Sequence, residues 1–265
     1  MSGKLQDKRA IITGGASGIG AASVRKFIAE GARVVLSDID ETMALKLIGE
    51  YDTNRVTYIA CNVGDQEQLN QMIDQSLHWL GGLDILFNNA GIGAIGETPE
   101  TAEDRWHDVL NIDLNSVFYA CKKAIPVMKK FGGGAIINTA SISGLSADFG
   151  MPAYNAAKGA VVNYTRALAL DHAKDNIRVN AVCPGLIDTS ITAAFRRSKD
   201  YNAFISNELP TGRAGSPEEV ANVVAFLASK DASYVSGINL VVDGAKTAHT
   251  GMMNYTQWAA ENKGK

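Results

Sequence analysis

The 265-residue chain carries 46% hydrophobic and 20% charged residues, an ordinary globular composition with enough apolar material for a sizeable core. Its formal net charge of −3 and pI near 5.8 argue against nucleic acid as a partner, because phosphate backbones are held mainly by clustered lysine and arginine. The three cysteines, Cys61, Cys121 and Cys183, lack the spacing of a zinc site or a disulfide framework and favour a reducing compartment.

Short β-branched segments alternate along the chain with longer segments of helical periodicity. The segments predicted as strands are 9–13, 33–37, 55–60, 83–87, 134–140, 177–182 and 238–242. Apolar spacing predicts helices over 18–29, 41–50, 65–79, 102–130, 154–174 and 217–228. Because the strands are nearly continuous apolar runs, we expect a parallel sheet with helices on both faces. The predicted fold is α/β, with a doubly wound parallel seven-stranded sheet in a single domain over residues 1–244.

Helix-start signals agree with this division of the chain. Thr101, followed three residues later by Asp104, predicts an N-cap for the helix that begins near 102. Ser216, Pro217 and Glu218 supply an N-cap, a first-turn proline and an early acid for the helix over 217–228.

Two regions interrupt the alternation. The mixed segment from about 186 to 215 follows Pro184-Gly185 and is predicted to be a lid or substrate loop. The C-terminal tail, 245–265, follows the last predicted strand. Its apolar residues would pack on the body of the protein or on another subunit; they are Met252, Met253, Tyr255 and Trp258.

The sequence shows no sign of export or membrane insertion. The first ten residues, MSGKLQDKRA, are polar, and no eighteen uncharged apolar residues run together. We therefore expect a cytoplasmic protein without a membrane span.

A glycine-rich turn, TGGASGIG at 13–20, follows the first strand and opens the first helix. Glycines let the backbone approach a pyrophosphate, and the free N–H groups at a helix start favour its charge, although glycines also occur there for structural reasons alone. The second strand ends near Asp38, whose carboxylate can bind an adenosine ribose and would repel a 2′-phosphate. Asp38 could instead cap the next helix, but Asp40 is better placed for that. The pattern favours NAD, since Arg33 lies too far back along the strand to favour NADP.

The pentapeptide YNAAK, 154–158, places a phenol and an amine one helical turn apart on the same face. A free tyrosine hydroxyl has a pKa of about 10, too high for a base near neutrality. A lysine cation about 4 Å away stabilises a phenolate by about 4 kcal/mol at an effective dielectric constant of about 20. The pair could therefore serve as an acid and base, although alone it also fits a surface helix with an unrelated aromatic and charge.

Several motifs, in this order, resemble the short-chain dehydrogenase/reductase family: Gly14, Gly18 and Gly20 in TGxxxGxG, NNAG at 88–91, Ser141 thirteen positions before Tyr154 of YNAAK, and Pro184-Gly185. The likeness runs from about Leu5 to Gly244. It implies a Rossmann sheet and an oxidoreductase that transfers a hydride between NAD and a small secondary alcohol or ketone, with no metal.

The resemblance also implies roles for the central residues. Ser141 would hydrogen-bond the substrate oxygen, Tyr154 would transfer its proton as general acid and base, and Lys158 would bind the nicotinamide ribose and keep the tyrosine acidic. Asp113 stands where the family usually carries an asparagine that supports a water relay to the lysine through its main-chain carbonyl. An aspartate has the same carbonyl, so we expect the relay to survive and the carboxylate to raise the pKa of the lysine. Asn111 and Asn115 flank Asp113 but point away from its side of a regular helix.

Cofactor contacts implied by the resemblance come from the glycine-rich turn and from segments that follow strands. They involve Gly14, Ser17, Gly18, Ile19, Gly20, Asp38, Ile39, Asn62, Val63, Asn89, Ala90, Gly91, Tyr154, Lys158, Pro184, Gly185, Ile187 and Thr189. Asn62 departs from the usual aspartate, but its carbonyl oxygen can still accept a hydrogen bond from adenine. The expected substrate contacts are mostly small or apolar and suit a compact, uncharged substrate; they are Ser141, Ser143, Met151, Tyr154 and Leu186.

Two other functions stay open at this point. One is an NADPH-dependent ketoreductase such as a 3-oxoacyl reductase, which Asp38 opposes. The other is a catalytically silent dinucleotide-binding regulator, which the departure at Asp113 keeps open. The resemblance further implies a homo-oligomer, a tetramer or a dimer, formed through the helices over 102–130 and 154–174.

Overall fold

The structure is a computed structural model that describes residues 3–263, without the side chains of Ala194 and Gln257. Seven strands form one parallel sheet in the order β3-β2-β1-β4-β5-β6-β7. The strands are β1 (Arg9–Thr13), β2 (Arg33–Asp38), β3 (Val56–Ala60), β4 (Ile85–Asn88), β5 (Gly134–Thr139), β6 (Ile177–Pro184) and β7 (Asn239–Val242). The predicted doubly wound sheet is confirmed.

The helices connect the strands and cover both faces of the sheet. They are α1 (Gly18–Ala29), α2 (Glu41–Ile48), α3 (Gln66–Leu80), α4 (Glu103–Leu110), α5 (Ser116–Lys130), α6 (Pro152–His172), α7 (Ala193–Arg196), α8 (Tyr201–Glu208), α9 (Pro217–Ala228) and α10 (Tyr255–Glu261). Consecutive residues of a strand point to opposite faces. Ile11 accordingly packs in the core shared with α3, α5 and α6, and Ile12 in the core shared with α1 and α9.

The sheet reverses its direction of winding between β1 and β4, which are neighbours although β2 and β3 intervene in the sequence. Ligands of open α/β sheets bind in the crevice beyond the carboxyl ends of the strands at such a switch point. The glycine-rich turn, which follows β1, and NNAG, which completes β4, both lie there. This topology brings the separate sequence motifs to one edge of the sheet.

The prediction that Thr101 is the N-cap of α4 is wrong. The N-cap of α4 is Ala102, which makes no side-chain hydrogen bond, and the Thr101 hydroxyl instead donates to the Glu97 carbonyl at 2.9 Å, across the preceding 3₁₀ turn. The Ser216 cap is confirmed, because Ser216 and Glu219 form a reciprocal capping box at the start of α9. Asp40 caps α2 by accepting from the Met43 N–H at 3.0 Å.

The helix predicted over 102–130 is present over 103–130, but it is not a regular α-helix throughout. A π-helical turn at Asn111–Asn115 separates α4 from α5, and the Ser116 N–H reaches back five residues to the Asn111 carbonyl. Periodicity could not reveal this turn, since apolar residues continue on both sides of it. The turn buries Asp113 completely, while Asn111 and Asn115 bond to each other at 2.9 Å near the surface.

The segment predicted as a lid contains α7 and α8, joined by an aromatic cluster in which Phe195 contacts Tyr201 and Phe204 edge to face. A bridge between Ile187 and Gly215 closes the two ends of this segment. The tail carries α10, and Met252, Met253, Tyr255 and Trp258 are all exposed. Within residues 3–263, no helix combines the length and apolar character needed to cross a bilayer.

Candidate active site

The glycine-rich turn has the geometry of an anion-binding helix start. A Cβ on Gly20 would lie 1.9 Å from the Gly14 carbonyl oxygen, so only glycine allows this approach of α1 to the end of β1. Gly14 and Gly18 have φ values of +62° and +50°, in the region that favours glycine. Ser17 makes no side-chain cap, and the first turn of α1 carries no acid. The first N–H groups, including that of Ile19, are therefore available to a negative ligand such as a pyrophosphate.

Asp38 lies at the carboxyl end of β2 and is tied to this turn. Its Oδ2 accepts from the Ala16 N–H at 2.9 Å, and its Oδ1 accepts from the Asp40 N–H at 3.0 Å. The neighbouring Ile39 is 76% exposed at the same edge. At the opposite end of β2, Arg33 stacks on Trp79 at 4.5 Å and donates to its carbonyl. No arginine of β2 is thus near the Asp38 carboxylate.

Asn89 ties two strand ends together. Its Nδ2 donates to the carbonyl oxygens of Thr13 and Gly14, each at 3.1 Å, and its Oδ1 accepts from the Thr139 hydroxyl at 3.3 Å. The side chain predicted to contact the cofactor therefore makes its hydrogen bonds within the protein, between the ends of β1 and β5. Ala90 lies beside it, and a Cβ on Gly14 would be 2.8 Å from the Ala90 Cα.

The remaining predicted cofactor residues lie around the same edge. Asn62 is exposed, and its Oδ1 already accepts from the Gly64 N–H at 3.0 Å, while Val63 is buried. The Ile187 side chain is also buried in the core, so only its main chain can face a cofactor. A Cβ on Gly18 would contact the Thr189 methyl group at 3.1 Å, which places Thr189 over the start of α1.

Two further predicted residues, Pro184 and Gly185, terminate β6. The Gly185 N–H donates to the Val242 carbonyl, and a Cβ on Gly185 would lie 2.7 Å from the Asp243 Cβ. This contact fixes the exit of the chain from the sheet toward the segment predicted as a lid. Leu186 then lines a small cavity with Leu209 and Thr211.

Ser141 lies just beyond the end of β5, and Tyr154 and Lys158 lie one turn apart on α6. Lys158 Nζ is 5.6 Å from the centre of the Tyr154 ring, and it donates to the Thr139 carbonyl at 2.9 Å. Ser141 caps a 3₁₀ turn at Ile142–Gly144. A Cβ on Gly144 would lie 2.5 Å from the Lys158 carbonyl oxygen, so the serine turn is pressed directly onto α6. This contact fixes the serine relative to the tyrosine and the lysine.

Asp113 forms a buried ion pair with Lys158. Asp113 Oδ2 lies 3.1 Å from Lys158 Nζ, with the carboxylate 0% and the lysine side chain 3% exposed. Asp113 Oδ1 accepts from the Ile92 N–H at 2.9 Å, whereas Oδ2 has no directed hydrogen bond among the described residues. A Cβ on Gly91 would lie 3.1 Å from Oδ2 and 3.4 Å from Nζ. Gly91 therefore leaves room for the ion pair.

The Asp113 carboxylate changes the electrostatics of Lys158. Burial by itself lowers the pKa of the ammonium, but the Asp113 carboxylate, together with Tyr154 and Cys183, outweighs burial and raises the pKa above its ordinary value of 10.5. The lysine therefore stays charged, and the negative carboxylate offsets part of its positive field at Tyr154.

The substrate side of the site contains a residue, Asp148, that sequence reasoning did not select. The Ser141 hydroxyl donates to the Ser143 hydroxyl at 3.0 Å, and the Ser143 hydroxyl donates to the Asp148 carboxylate. Nothing in the spacing of the sequence marks Asp148, because it lies in a loop whose path determines the contact. Met151 begins α6 on the same side, and its methyl group is 3.9 Å from a Cβ built on Gly93.

The comparisons with known proteins agree with this architecture. A family model described as "Enoyl-(Acyl carrier protein) reductase" matches residues 14–246. The chain is 41% identical to a meso-2,3-butanediol dehydrogenase of Serratia marcescens and 40% identical to a cyclohexanol dehydrogenase of Acinetobacter sp. (strain SE19); each alignment covers 94% of this chain and 98% of the relative. A solved structure described as "Crystal structure of gox2181" matches with a TM-score of 0.87 at 36% identity, over 93% of this chain and 98% of the other.

The fold, the glycine-rich turn and these matches define an oxidoreductase that uses a nicotinamide dinucleotide. The chain belongs to the short-chain dehydrogenase/reductase family. The family resemblance expected from the motifs is therefore confirmed, as is the expectation that the protein is an enzyme.

Replacing Asp113 by asparagine tests the electrostatic role of the carboxylate. Asp113→Asn keeps the main-chain carbonyl and an acceptor for the Ile92 N–H, so we expect turnover near neutral pH within about tenfold of wild type. The variant leaves a buried ammonium without its carboxylate, which should lower the free energy of unfolding by about 3 kcal/mol in chemical denaturation.

The same substitution should change the pH dependence. Because Asp113 raises the folded-state pKa of Lys158 above 10.5, its stabilising effect is present below that value and is lost as the pH rises through the folded-state pKa. Activity that requires the ammonium should therefore be lost at a lower pH in Asp113→Asn than in wild type. Asp108→Asn, an exposed position on α4, is the matched control. If activity declines at the same alkaline pH in wild type and in Asp113→Asn, the carboxylate does not hold the proton on Lys158.

Proposed function

We propose that the protein is an NAD-dependent dehydrogenase that interconverts a small secondary alcohol and the corresponding ketone. The observation that supports the proposal is the packing of the Ser141 turn on the helix that carries Tyr154 and Lys158, at the sheet edge that also carries the glycine-rich turn. The dehydrogenase names of two similar proteins, which refer to a butanediol and to cyclohexanol, support this class of substrate.

The proposed roles follow from the chemistry of the three side chains. Tyr154 takes the proton of the alcohol during oxidation and returns it during reduction. Lys158 stabilises the phenolate form of the tyrosine through its positive charge, and the Thr139 carbonyl fixes the ammonium position. Ser141 holds the substrate oxygen. The bound nicotinamide supplies the hydride chemistry, which the protein only orients.

The proposed preference for NAD rests on the Asp38 carboxylate at the end of β2. The carboxylate is held by two backbone N–H groups, and each of its oxygens can accept a further hydrogen bond from a ribose hydroxyl. A 2′-phosphate in the same place would meet like charge with no arginine from β2 to compensate. An NADPH-dependent ketoreductase is disfavoured for this reason.

Asp38→Asn should reduce the preference for NAD over NADP, expressed as the ratio of kcat/KM values, by about 10- to 100-fold, because hydrogen bonds to a charged group contribute about 1.5–3 kcal/mol. Steady-state kinetics with each cofactor measure this ratio. Asp40→Ala is the control: it removes the cap of α2 and should lower stability by about 1 kcal/mol without changing cofactor preference. A wild-type enzyme that prefers NADP would contradict the proposal.

Tyr154→Phe tests the proposed acid-base role. Removing the hydroxyl should lower kcat by about 10²- to 10⁴-fold for every accepted alcohol, the range expected when a general acid or base is lost. Cofactor affinity, followed by quenching of protein fluorescence, should stay close to that of wild type. A variant that turns over at the wild-type rate would overturn the mechanism. Wild-type protein that binds NAD but oxidises no secondary alcohol would instead favour a silent regulator.

We also propose a cytoplasmic homo-oligomer, a tetramer or a dimer. The three cysteines are buried and unpaired, which suits a reducing compartment. Exposed apolar side chains occur on the two helices that the family resemblance places at a subunit interface: Phe118 on α5 is 43% exposed and Leu170 on α6 is 82% exposed.

Sedimentation velocity at micromolar concentration should give a mass of two or four chains. Leu170→Asp should shift the distribution toward smaller species, because it places a charge on an apolar contact. Leu45→Asp, at a half-exposed leucine of α2, is the control and should leave the distribution unchanged. A wild-type monomer would remove the basis for this part of the proposal.

A further inference from the structure

The substrate side of the site contains a chain of three hydrogen-bonding groups. Ser141 and Ser143 are buried, whereas Asp148 is exposed. The Ser141 and Ser143 hydroxyl oxygens are 3.0 Å apart, and the Ser143 hydroxyl donates to Asp148 Oδ2. The chain therefore runs from the expected position of the reacting substrate oxygen to a carboxylate at the surface.

The carboxylate determines the direction of the hydrogen bonds. An ionised carboxylate only accepts, so the Ser143 hydroxyl donates to Asp148 and must accept from Ser141. Ser141 in turn accepts from the Ser143 N–H at 3.1 Å. When Ser141 turns its proton toward a substrate oxygen, Ser143 and Asp148 are left with lone pairs. Ser143 and Asp148 then offer a ligand only hydrogen-bond acceptors.

The position of Asp148 is fixed relative to the catalytic tyrosine. Asn155, the residue after Tyr154, donates from Nδ2 to the Asp148 carbonyl at 2.9 Å and accepts from the Asp148 N–H at 3.3 Å. The Gly96 N–H donates to the Gly150 carbonyl at 2.9 Å and so joins the same loop to the segment after β4. Within the described residues, Asp148 Oδ1 has no protein partner, so it is open to a ligand.

We propose that Asp148 is a specificity-determining residue that accepts a hydrogen bond from a second hydroxyl group of the substrate, next to the reacting carbon. The inference rests on the proposed dehydrogenase function and specifies its substrate class as vicinal diols and their hydroxy-ketone products. The two oxygens of a folded vicinal diol lie roughly 2.8 Å apart, about one O–H···O hydrogen-bond length. One diol oxygen can therefore hydrogen-bond to Ser141 while the other hydrogen-bonds at the Ser143–Asp148 end of the three linked groups.

The same carboxylate should exclude acidic substrates. A 2-hydroxy acid would place its carboxylate where the vicinal hydroxyl belongs, with no hydrogen to donate and a like charge opposite Asp148. A monohydric alcohol would bind without repulsion but would not use the carboxylate. The expected order of preference is diol, then monohydric alcohol, then hydroxy acid.

Matched substrate pairs test the inference in the intact enzyme. We expect kcat/KM for 2,3-butanediol over 2-butanol, and for 1,2-cyclohexanediol over cyclohexanol, to favour the diol by about 10- to 100-fold, the value of a hydrogen bond to a charged group. Asp148→Ala should remove this preference, so that kcat/KM for each diol falls to about the value for its monohydric partner. Asp148→Glu should restore part of the preference, which a purely structural role would not predict.

Asp148→Asn gives a second readout. With its amide oxygen toward the Ser143 hydroxyl, the asparagine presents an NH₂ donor to the cleft. The diol preference should fall, and activity on lactate relative to 2-butanol should rise by about tenfold. Asp171→Asn, at an exposed position of α6, is the control and should change neither ratio.

The outcomes separate this inference from the function on which it rests. Wild-type enzyme that oxidises the alcohols with no diol preference, or Asp148→Ala that retains the preference, overturns the inference alone. If Asp148→Ala loses activity equally on a diol and its monohydric partner while its thermal midpoint is unchanged, Asp148 has a general role in catalysis. That result also overturns the inference. Absence of oxidation of any alcohol by wild-type protein overturns the proposed function together with the inference.

Discussion

The active site depends on keeping an ammonium group charged although its side chain is almost completely buried. A buried charge is costly unless opposite charge and hydrogen-bond acceptors surround it. Lys158 donates a hydrogen bond to the Thr139 carbonyl at the end of β5 and forms an ion pair with the Asp113 carboxylate in the turn between α4 and α5. Asp113 is itself held by the Ile92 N–H beyond β4. One positive charge therefore joins elements that are far apart in the sequence.

This requirement explains local features that would otherwise look like defects. The π-helical turn at Asn111–Asn115 inserts an extra residue into what would be one long helix, and such turns are frequent at functional sites. Its effect here is to direct Asp113 inward. Gly91 has no side chain because a Cβ would press on both members of the ion pair. The departure from a regular helix and the glycine serve the same buried charge.

The sequence allowed prediction of features that depend on neighbouring residues or on a strong pattern. Continuous apolar strands, the Ser216 capping box and the order of the motifs are of this kind. One prediction failed where two local hydrogen bonds compete for the same hydroxyl: Thr101 bonds back to Glu97 instead of capping α4. The contact of Asp148 with Ser143 could not be predicted because it depends on the path of a loop, which Asn155 closes through a side-chain hydrogen bond.

The ion pair also sets the charge that the site presents to its ligands. An uncompensated ammonium would favour a phenolate strongly, but it would also repel an oxidised nicotinamide ring, which is itself cationic. The Asp113 carboxylate, 3.1 Å from Nζ, weakens both effects together. It keeps the lysine protonated by raising its pKa, so the group that binds and orients does not lose its charge. An amide at this position would leave the full positive field at the tyrosine and would also make the lysine easier to deprotonate. The aspartate thus exchanges some stabilisation of the phenolate for a site that is nearly neutral around the lysine and retains its charge to higher pH.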